Sequence, residues 1–459
     1  MHIIKFDRQF ARRHIMASAG KSFIGAGMLG PLWHVIARDG DVQKAYPEEA
    51  MSIEHYSNGA VKSGGVIDAS NVDSVKELID PVLYMEIAQQ GRVLDVKKPE
   101  TDIMRLSPRA YVEATLRNRG KASLDTIGNV VTGDGKPWIG GHPFPDGESA
   151  FKVVIGHALN WARHDVSFFT LNEWDLDAED NVEFHYQFLF LEYMAVARTV
   201  LDPKPYMPSY GDKLRYSTFL LTAPQAVKGT SVLNIWYYDQ SKLPEFFGFL
   251  PDFKRIRRFT SSQRFEPSLP GSNFNPTDTF MMGDPALTWG NFKLVGKVPF
   301  LAAVSDRWWG EKDNWFADRV GGKSGQRFFR TTVELIPECY VIDMEPIRYP
   351  EAPYGKRRVW YDPRSMNPVT ALIFDRKGQL IKNYINNVGN YQTREGLRWP
   401  EKGDPFWGWS TSTIHNAKTD SISLVQPVRQ IDGGFGPRVN DPRTYEQFCT
   451  IPAVRRLGK

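Results

Sequence analysis

Cysteine is nearly missing from this 459-residue chain: Cys339 and Cys449 are the only two. Two thiols exclude a cysteine-only zinc cluster and a disulfide-rich scaffold. No G-x-S-x-G and no H-E-x-x-H occurs, so the common hydrolase signatures are missing as well. Charge of one sign is also scarce, with 57 Lys and Arg against 53 Asp and Glu, and a net +4 gives no argument for nucleic acid as a partner. The most apolar run, SFIGAGMLGPLWHVIA, is about 16 residues long and interrupted by Gly, Pro31 and His34, short of the roughly 20 residues of a membrane-spanning helix. No fixed-length repeat occurs, which argues against a propeller or solenoid.

Aromatic residues, by contrast, are plentiful: 28 Phe, 18 Tyr and 13 Trp supply wide, flat apolar surface of the kind that dominates cores and binding clefts. Arg12 and Arg13 precede the apolar run, and small residues follow it at Val35 and Ala37. Basic, then apolar, then small is the order of an export signal, here of twin-arginine type, assigned to residues 1–37. Within it GAGMLG, residues 25–30, matches the dinucleotide-binding pattern formally. It lacks the strand before and the long helix after that the fingerprint needs, and Pro31 follows at once. No cofactor is therefore expected. An exported chain could pair Cys339 with Cys449, stabilising by about 4–5 kcal/mol in the loop-entropy model; two buried reduced cysteines are the alternative.

Residues 38–135 read as a helical and irregular segment packing on a sheet. Helical signals cover 70–90, with a break near Pro81 and a stop at Gly91, and run from Ser107-Pro108 to Arg119. The passage GNVVTGDGKPWIGGHPFPDG reads as a loop. Over 147–165 Phe151, Val154, Ile155, Ala158, Leu159 and Ala162 form one apolar stripe, with Asp146 as the expected cap. From about residue 181 the pattern turns to period two, in segments such as NVEFHYQFLFLEYMAVA, TSVLNIWYYD, NFKLVGKVPFLA, QRFFRTTVELI and CYVIDMEPI. In YGKRRVWYDPRSMNPVTALIFDRKGQLIKNY, residues 354–384, the middle strand is apolar on both faces. An open antiparallel sheet normally leaves one face polar. The expected fold is mainly β (α+β): over 136–459, a large curved antiparallel sheet forming an open half-barrel, with 147–165 as a plug helix in its hollow and water on its convex side.

Four blocks, GGHPFPDGESAFKVVIGHALNW, SVLNIWYYDQSKLPEFFGFLPDFKRIRRF, DTFMMGDPALTWGNFKLVGKVPFLA and the stretch from VELIPECYVIDMEPI to DRKGQL, together resemble a proteobacterial family of unknown function described as outer-membrane lipoprotein-sorting-like. The likeness spans about residues 70–450, and the order of the blocks is its most specific feature. The resemblance implies an exported protein with the fold of the periplasmic carriers LolA and LolB, a curved sheet around helices with a greasy cavity. It implies a periplasmic location, with or without association with the outer membrane. It also implies, as partners, an exporter of the resistance-nodulation-division class and an outer-membrane barrel protein. The family supplies no established catalytic residues, and the insertion LPEFFGF departs from its pattern.

The candidate ligand-binding residues are Phe144, His157, Trp161, Trp236, Tyr238, Trp289, Phe292 and Trp360. Five or six such aromatics left bare would expose on the order of 1,000 Å² and cost about 25 kcal/mol, more than a domain's net stability. Helices, a hydrophobic guest or a partner must cover them. His157, Trp161 and His164 fall at i, i+4 and i+7, a cavity-facing polar row or a hydrogen-bonded helix face; no metal is assigned. Arg255, Arg257 and Arg258 form a basic knot suited to a lipid phosphate or an acidic partner surface, or a plain solvated face. Glycines at 133, 135, 140, 141 and 147 mark a candidate lid. The reading is a non-catalytic carrier of a hydrophobic, lipid-like molecule. An enzyme acting on a hydrophobic or glycan substrate, and a structural adaptor, are the alternatives.

Overall fold

The computed structural model describes residues 32–39, 42, 45–208, 210–251, 254–259 and 264–458. The paired arginines and the GAGMLG run lie outside the described residues. The first described element is helix α1, Leu32–Asp39. It buries Leu32, Trp33 and Ile36 in the main core, and the Trp33 indole donates to the Pro363 carbonyl at 3.1 Å. The boundary drawn at residue 37 therefore falls inside a docked helix.

Sixteen strands form one sheet. In chain order they are β1 Val66–Ile67, β2 Leu94–Val96, β3 Val166–Leu176, β4 Val182–Met194, β5 Lys213–Ala223, β6 Ser231–Tyr237, β7 Glu245–Leu250, β8 Arg255–Arg258, β9 Gly290–Ala302, β10 Thr331–Glu345, β11 Tyr354–Asp362, β12 Asn367–Asp375, β13 Leu380–Asn390, β14 Trp407–Asn416, β15 Ser421–Pro427 and β16 Arg438–Val439. The order across the sheet is β1-β2-β10-β11-β12-β13-β14-β15-β3-β4-β5-β6-β7-β8, with β9 beside β10 and β16 beside β3. Two antiparallel meanders, β10 to β15 and β3 to β8, are joined where β15 pairs with β3. Only the β2–β10 contact is parallel among the described strands. The sheet does not close. Tyr384 on β13 and Phe246 on β7 lie seven strands apart, about 34 Å on a flat sheet at the usual spacing, yet both line one cavity, so the sheet is deeply curved.

The stretch that looked apolar on both faces, β11–β12–β13, is covered on both. Val369, Ala371 and Ile373 align with Tyr384 and Lys382 on the concave side. On the other side Thr370 pairs with Ile385, which packs in a cluster with Ile53, Val75, Leu78, Leu83 and Ile87. The part of the N-terminal segment that includes α2 Ile53–Tyr56 and α3 Pro81–Gln90 thus coats the convex face, while Ile103, Leu106 and Val112 join the main core. Helix α4, Arg109–Asn118, follows it. At the far end of the sheet α6, Thr444–Phe448, and α7, Ile451–Leu457, cover Leu189, Leu191, Leu233 and Phe249 in the same way. The convex side that was expected to meet water is largely roofed by chain.

The plug helix is shorter than its apolar stripe suggested. Helix α5 runs from Ala150 to Leu159, capped by Ser149, whose hydroxyl accepts from the Lys152 amide. Asp146, the expected cap, instead pairs with Arg119 at 2.7 Å. Asn160 ends the helix by accepting from the Arg163 amide at 2.6 Å, and strand β3 begins at Val166, earlier than the period-two pattern was recognised. Valine, isoleucine and Gly156 are poor helix formers, Gly costing about 1 kcal/mol. Full burial of Val154, Ile155 and Leu159, roughly 1.5–3 kcal/mol each, outweighs that. Gly156 is required because a Cβ there would collide with the His142 ring.

Two further expectations change. The segments QRFFRTTVELI and CYVIDMEPI are mostly one strand, β10, with Pro337 held at a register shift opposite Pro299, where a missing N–H does no harm. Three such shifts in β9 break its alternation, so Leu294 is exposed although Phe292 is half-buried. Cys339 and Cys449 are both free and buried, one in the main core and one beneath α6 and α7, so the expected disulfide is replaced by its alternative.

Candidate functional site: an aromatic cavity under a strap

A cavity of about 190 Å³ lies in the hollow of the sheet. Its wall is built from inward-pointing residues of β3 to β7 and β13 to β15, among them Leu171, Phe188, Phe190, Phe219, Val232 and Val425. Trp161, just past α5, and Trp236 on β6 meet edge to face at 4.9 Å, an arrangement that aromatic quadrupoles favour. The Arg215 guanidinium stacks behind both, 3.5 Å from the Trp161 ring and 4.8 Å from that of Trp236, and pairs with Glu192 at 3.1 Å. Burial lowers the Arg215 pKa to about 10, and it stays charged.

The opposite wall is a strap, residues 264–281, laid across the hollow. Its turn from Pro276 to Met281 inserts Phe280, which adopts φ 47°. Phe280 stacks on Trp409 at 4.2 Å and on Trp161 at 5.9 Å. Cations on the sheet hold the turn. Arg357 donates to the carbonyls of Thr277 at 3.0 Å and Met281 at 2.8 Å and to Asp278 at 2.9 Å, and Lys382 donates to Asp278 and to the Asn273 carbonyl, each at 2.7 Å.

A second latch is acidic. Glu173 and Asp175 alternate on β3 and so point the same way, and Ser272 of the strap donates to Glu173 at 2.5 Å while Ser423 donates to Asp175 at 2.5 Å. Burial, and then the charge of Asp175, push the Glu173 pKa well above the carboxylate range; burial raises Asp175 to about 6. Two carboxyls buried side by side cannot both ionise readily, so Glu173 keeps its proton. At the other end of the strap Arg264 is ion-paired with Asp284 and donates to the Gly283 carbonyl.

Of the eight residues singled out in the sequence, Trp161 and Trp236 line this cavity. His157 is wholly buried behind it, with Nε2 2.9 Å from the Phe280 carbonyl, and burial lowers its pKa to about 3. His164 sits 2.9 Å from the Trp407 carbonyl, lowered by burial to about 4, so both imidazoles are neutral. Trp289 donates to Asp284 at 2.9 Å, and Tyr238 accepts from the Trp138 amide at 2.7 Å. Phe292 packs on Phe151, Trp360 on Phe300, and Phe144 beneath the Lys152 ammonium. Arg255, Arg257 and Arg258 lie exposed on β8, the last strand of the sheet, with Arg258 3.0 Å from Glu245. The glycine-rich passage 133–147 is no lid. Trp138, His142 and Phe144 are buried in it, and Gly141 lies so close to Thr115 that any side chain would collide.

What sequence reasoning missed is the acid pair and the strap. Within VSFFTLNEWDL, two carboxyls two residues apart in an otherwise apolar strand were the available signal. Among the described residues no group of three or more His, Cys, Asp and Glu side chains could hold a metal ion, and no helix is long and apolar enough to cross a membrane.

The chain belongs to the family described as Protein of unknown function (DUF1329), whose model matches residues 66–443. Among solved structures it is similar to a DUF1329 family protein from Desulfovibrio piger, with 14% identity, TM-score 0.42 and coverage of 66% of this chain and 97% of that one. It is similar also to a domain described as an outer membrane lipoprotein-sorting protein from Vibrio parahaemolyticus, with 15% identity, TM-score 0.41 and coverage of 67% and 98%. A LolA superfamily protein from Nitrosomonas europaea follows at 14% identity, TM-score 0.34 and coverage of 65% and 96%. No curated protein matches the chain.

Proposed function

We propose that this member of the family is a periplasmic binding protein that carries a hydrophobic, lipid-like molecule in the cavity beneath the strap. The single observation that supports the reading most is the cavity itself, which sits between two walls rich in aromatic rings and lies in the hollow of the sheet. Carriage would work by desolvation: an apolar guest leaves water for these walls, a gain of about 25 cal/mol per Å² buried. Export follows from the order of charge and apolarity in residues 1–37. The exporter of the resistance-nodulation-division class and the outer-membrane barrel protein are the partners through which such a guest would be received or handed on, and the exposed Arg255, Arg257 and Arg258 are the proposed contact with a partner surface or a lipid head group.

An enzymatic role draws on one observation, the paired carboxyls of Glu173 and Asp175. Both are buried, and Ser272 of the strap donates to Glu173 while Ser423 donates to Asp175. A latch for the strap fits them better. Organic extraction of the folded protein, purified from the envelope fraction without detergent and read by mass spectrometry, should yield a stoichiometric hydrophobic compound. An empty extract from protein whose cavity also takes up no added apolar probe would refute the carrier.

A further inference from the structure

We propose that the guest is a compact, uncharged ring compound bearing one hydrogen-bonding oxygen, which Asn234 reads, and not a long acyl chain. This rests on the carrier reading and narrows it. Size is the first ground. A cavity of about 190 Å³ is only slightly larger than the engineered apolar cavity of about 150 Å³ that takes up benzene. One or two fused rings fill it. A long acyl chain does not fit inside.

Shape and charge are the second and third. Trp161, Phe188, Phe219, Trp236, Phe246 and Trp409 present flat faces and edges, which suit another flat ring better than a flexible chain. Each titratable group at the wall is already engaged inside the protein: Arg264 is ion-paired with Asp284, and Glu173 accepts from Ser272. A carboxylate or ammonium on the guest would therefore be buried without a counter-charge, a cost that a small cavity cannot offset.

The polar handle is Asn234. It sits on the inner face of β6 between Val232 and Trp236, all three lining the cavity, and its side-chain amide has no hydrogen-bond partner among the described residues. Its strand neighbours in register are Ser217, whose hydroxyl oxygen accepts from the Trp236 indole at 3.2 Å, and Phe246. An amide offers both donors and an acceptor. A ketone or hydroxyl on a ring satisfies it, and a bare hydrocarbon leaves it unpaired.

Calorimetric titration of the full chain with α-tetralone, with tetralin, which has the same skeleton without the oxygen, and with palmitate tests this. Tetralone is expected to bind with one-to-one stoichiometry and about fivefold more tightly than tetralin, the factor one net hydrogen bond supplies, with no palmitate binding. In Asn234→Leu the tetralone preference should vanish while tetralin binds at least as well. Equal affinities in the wild-type protein would overturn the role of Asn234, a comparison that does not depend on the variant folding. Palmitate binding more tightly than either ring would overturn the ring class and leave the carrier standing. Binding of none of the three would overturn both.

Discussion

At the scale of single residues, the cavity wall is unusual in holding a carboxyl that keeps its proton. Glu173 keeps its proton well above the carboxylate range because it is buried beside Asp175. For a carboxyl whose pKa is raised by folding, the folded state binds the extra proton, so stability falls as pH rises from about 4 toward the folded pKa values. Glutamine at this position can donate to Asp175 and accept from Ser272 without titrating. Glu173→Gln should therefore match the wild type in stability at pH 4 and exceed it at pH 8 by on the order of 1 kcal/mol, read from urea midpoints. Parallel pH profiles would contradict the retained proton. The sequence revealed Trp161 and Trp236 because large aromatics on an apolar helix and strand announce themselves. It hid Glu173 and Asp175, since acids usually mark solvent, and Asn234, whose importance depends on which face of β6 turns inward.

Among elements, one contact that ties the N-terminal layer to the sheet is ionic. His415 on β14 lies 2.7 Å from Glu86 of α3 and 2.8 Å from Asp420, and Glu86 also pairs with Arg92 at 2.5 Å. Burial opposes a charged imidazole here, but the hydrogen bonds to Asp420 and Glu86 outweigh it and raise the His415 pKa. The sign is that of a raised histidine: its contribution is complete below about pH 6.5 and fades as pH climbs through the folded value. Hydrogen-exchange protection over residues 66–96, taken relative to the intrinsic base-catalysed rate, should fall above neutral pH in the wild type. His415→Ala, which leaves Glu86 facing the core with one partner fewer, should destabilise by about 3–5 kcal/mol and flatten that dependence. Protection that ignores both pH and the substitution would show the strut to be idle. The helices of this layer were legible, because Pro81, Gly91 and Gly120 punctuate them. Their side of the sheet was not: an amphipathic helix shows that it packs, and only the tertiary contact to Ile385 shows where. The strap was illegible for a different reason, since its order comes from Arg357 and Lys382 on distant strands and not from any local pattern.

For the whole molecule, the period-two strands and the doubly apolar middle strand together carried the curved sheet, and the four conserved-order blocks carried the family. They could not carry the coating of the convex face, which depends on how segments far apart in sequence meet. The result is a wall backed by the N-terminal layer and by α6 and α7 and faced by the strap, with the aromatic cavity between wall and strap. Filling that cavity should abolish uptake without harming the fold. Val232 lines the cavity from the middle of β6, and Val232→Trp would occupy much of its volume. The decisive measurement is calorimetric binding of naphthalene to the wild type and to Val232→Trp, with thermal melting of both as the control. The expected result is one site in the wild type with a negative heat-capacity change, and none in a variant that melts within a few degrees of it. Equal binding by the two proteins would place the guest elsewhere and contradict the carrier at its centre.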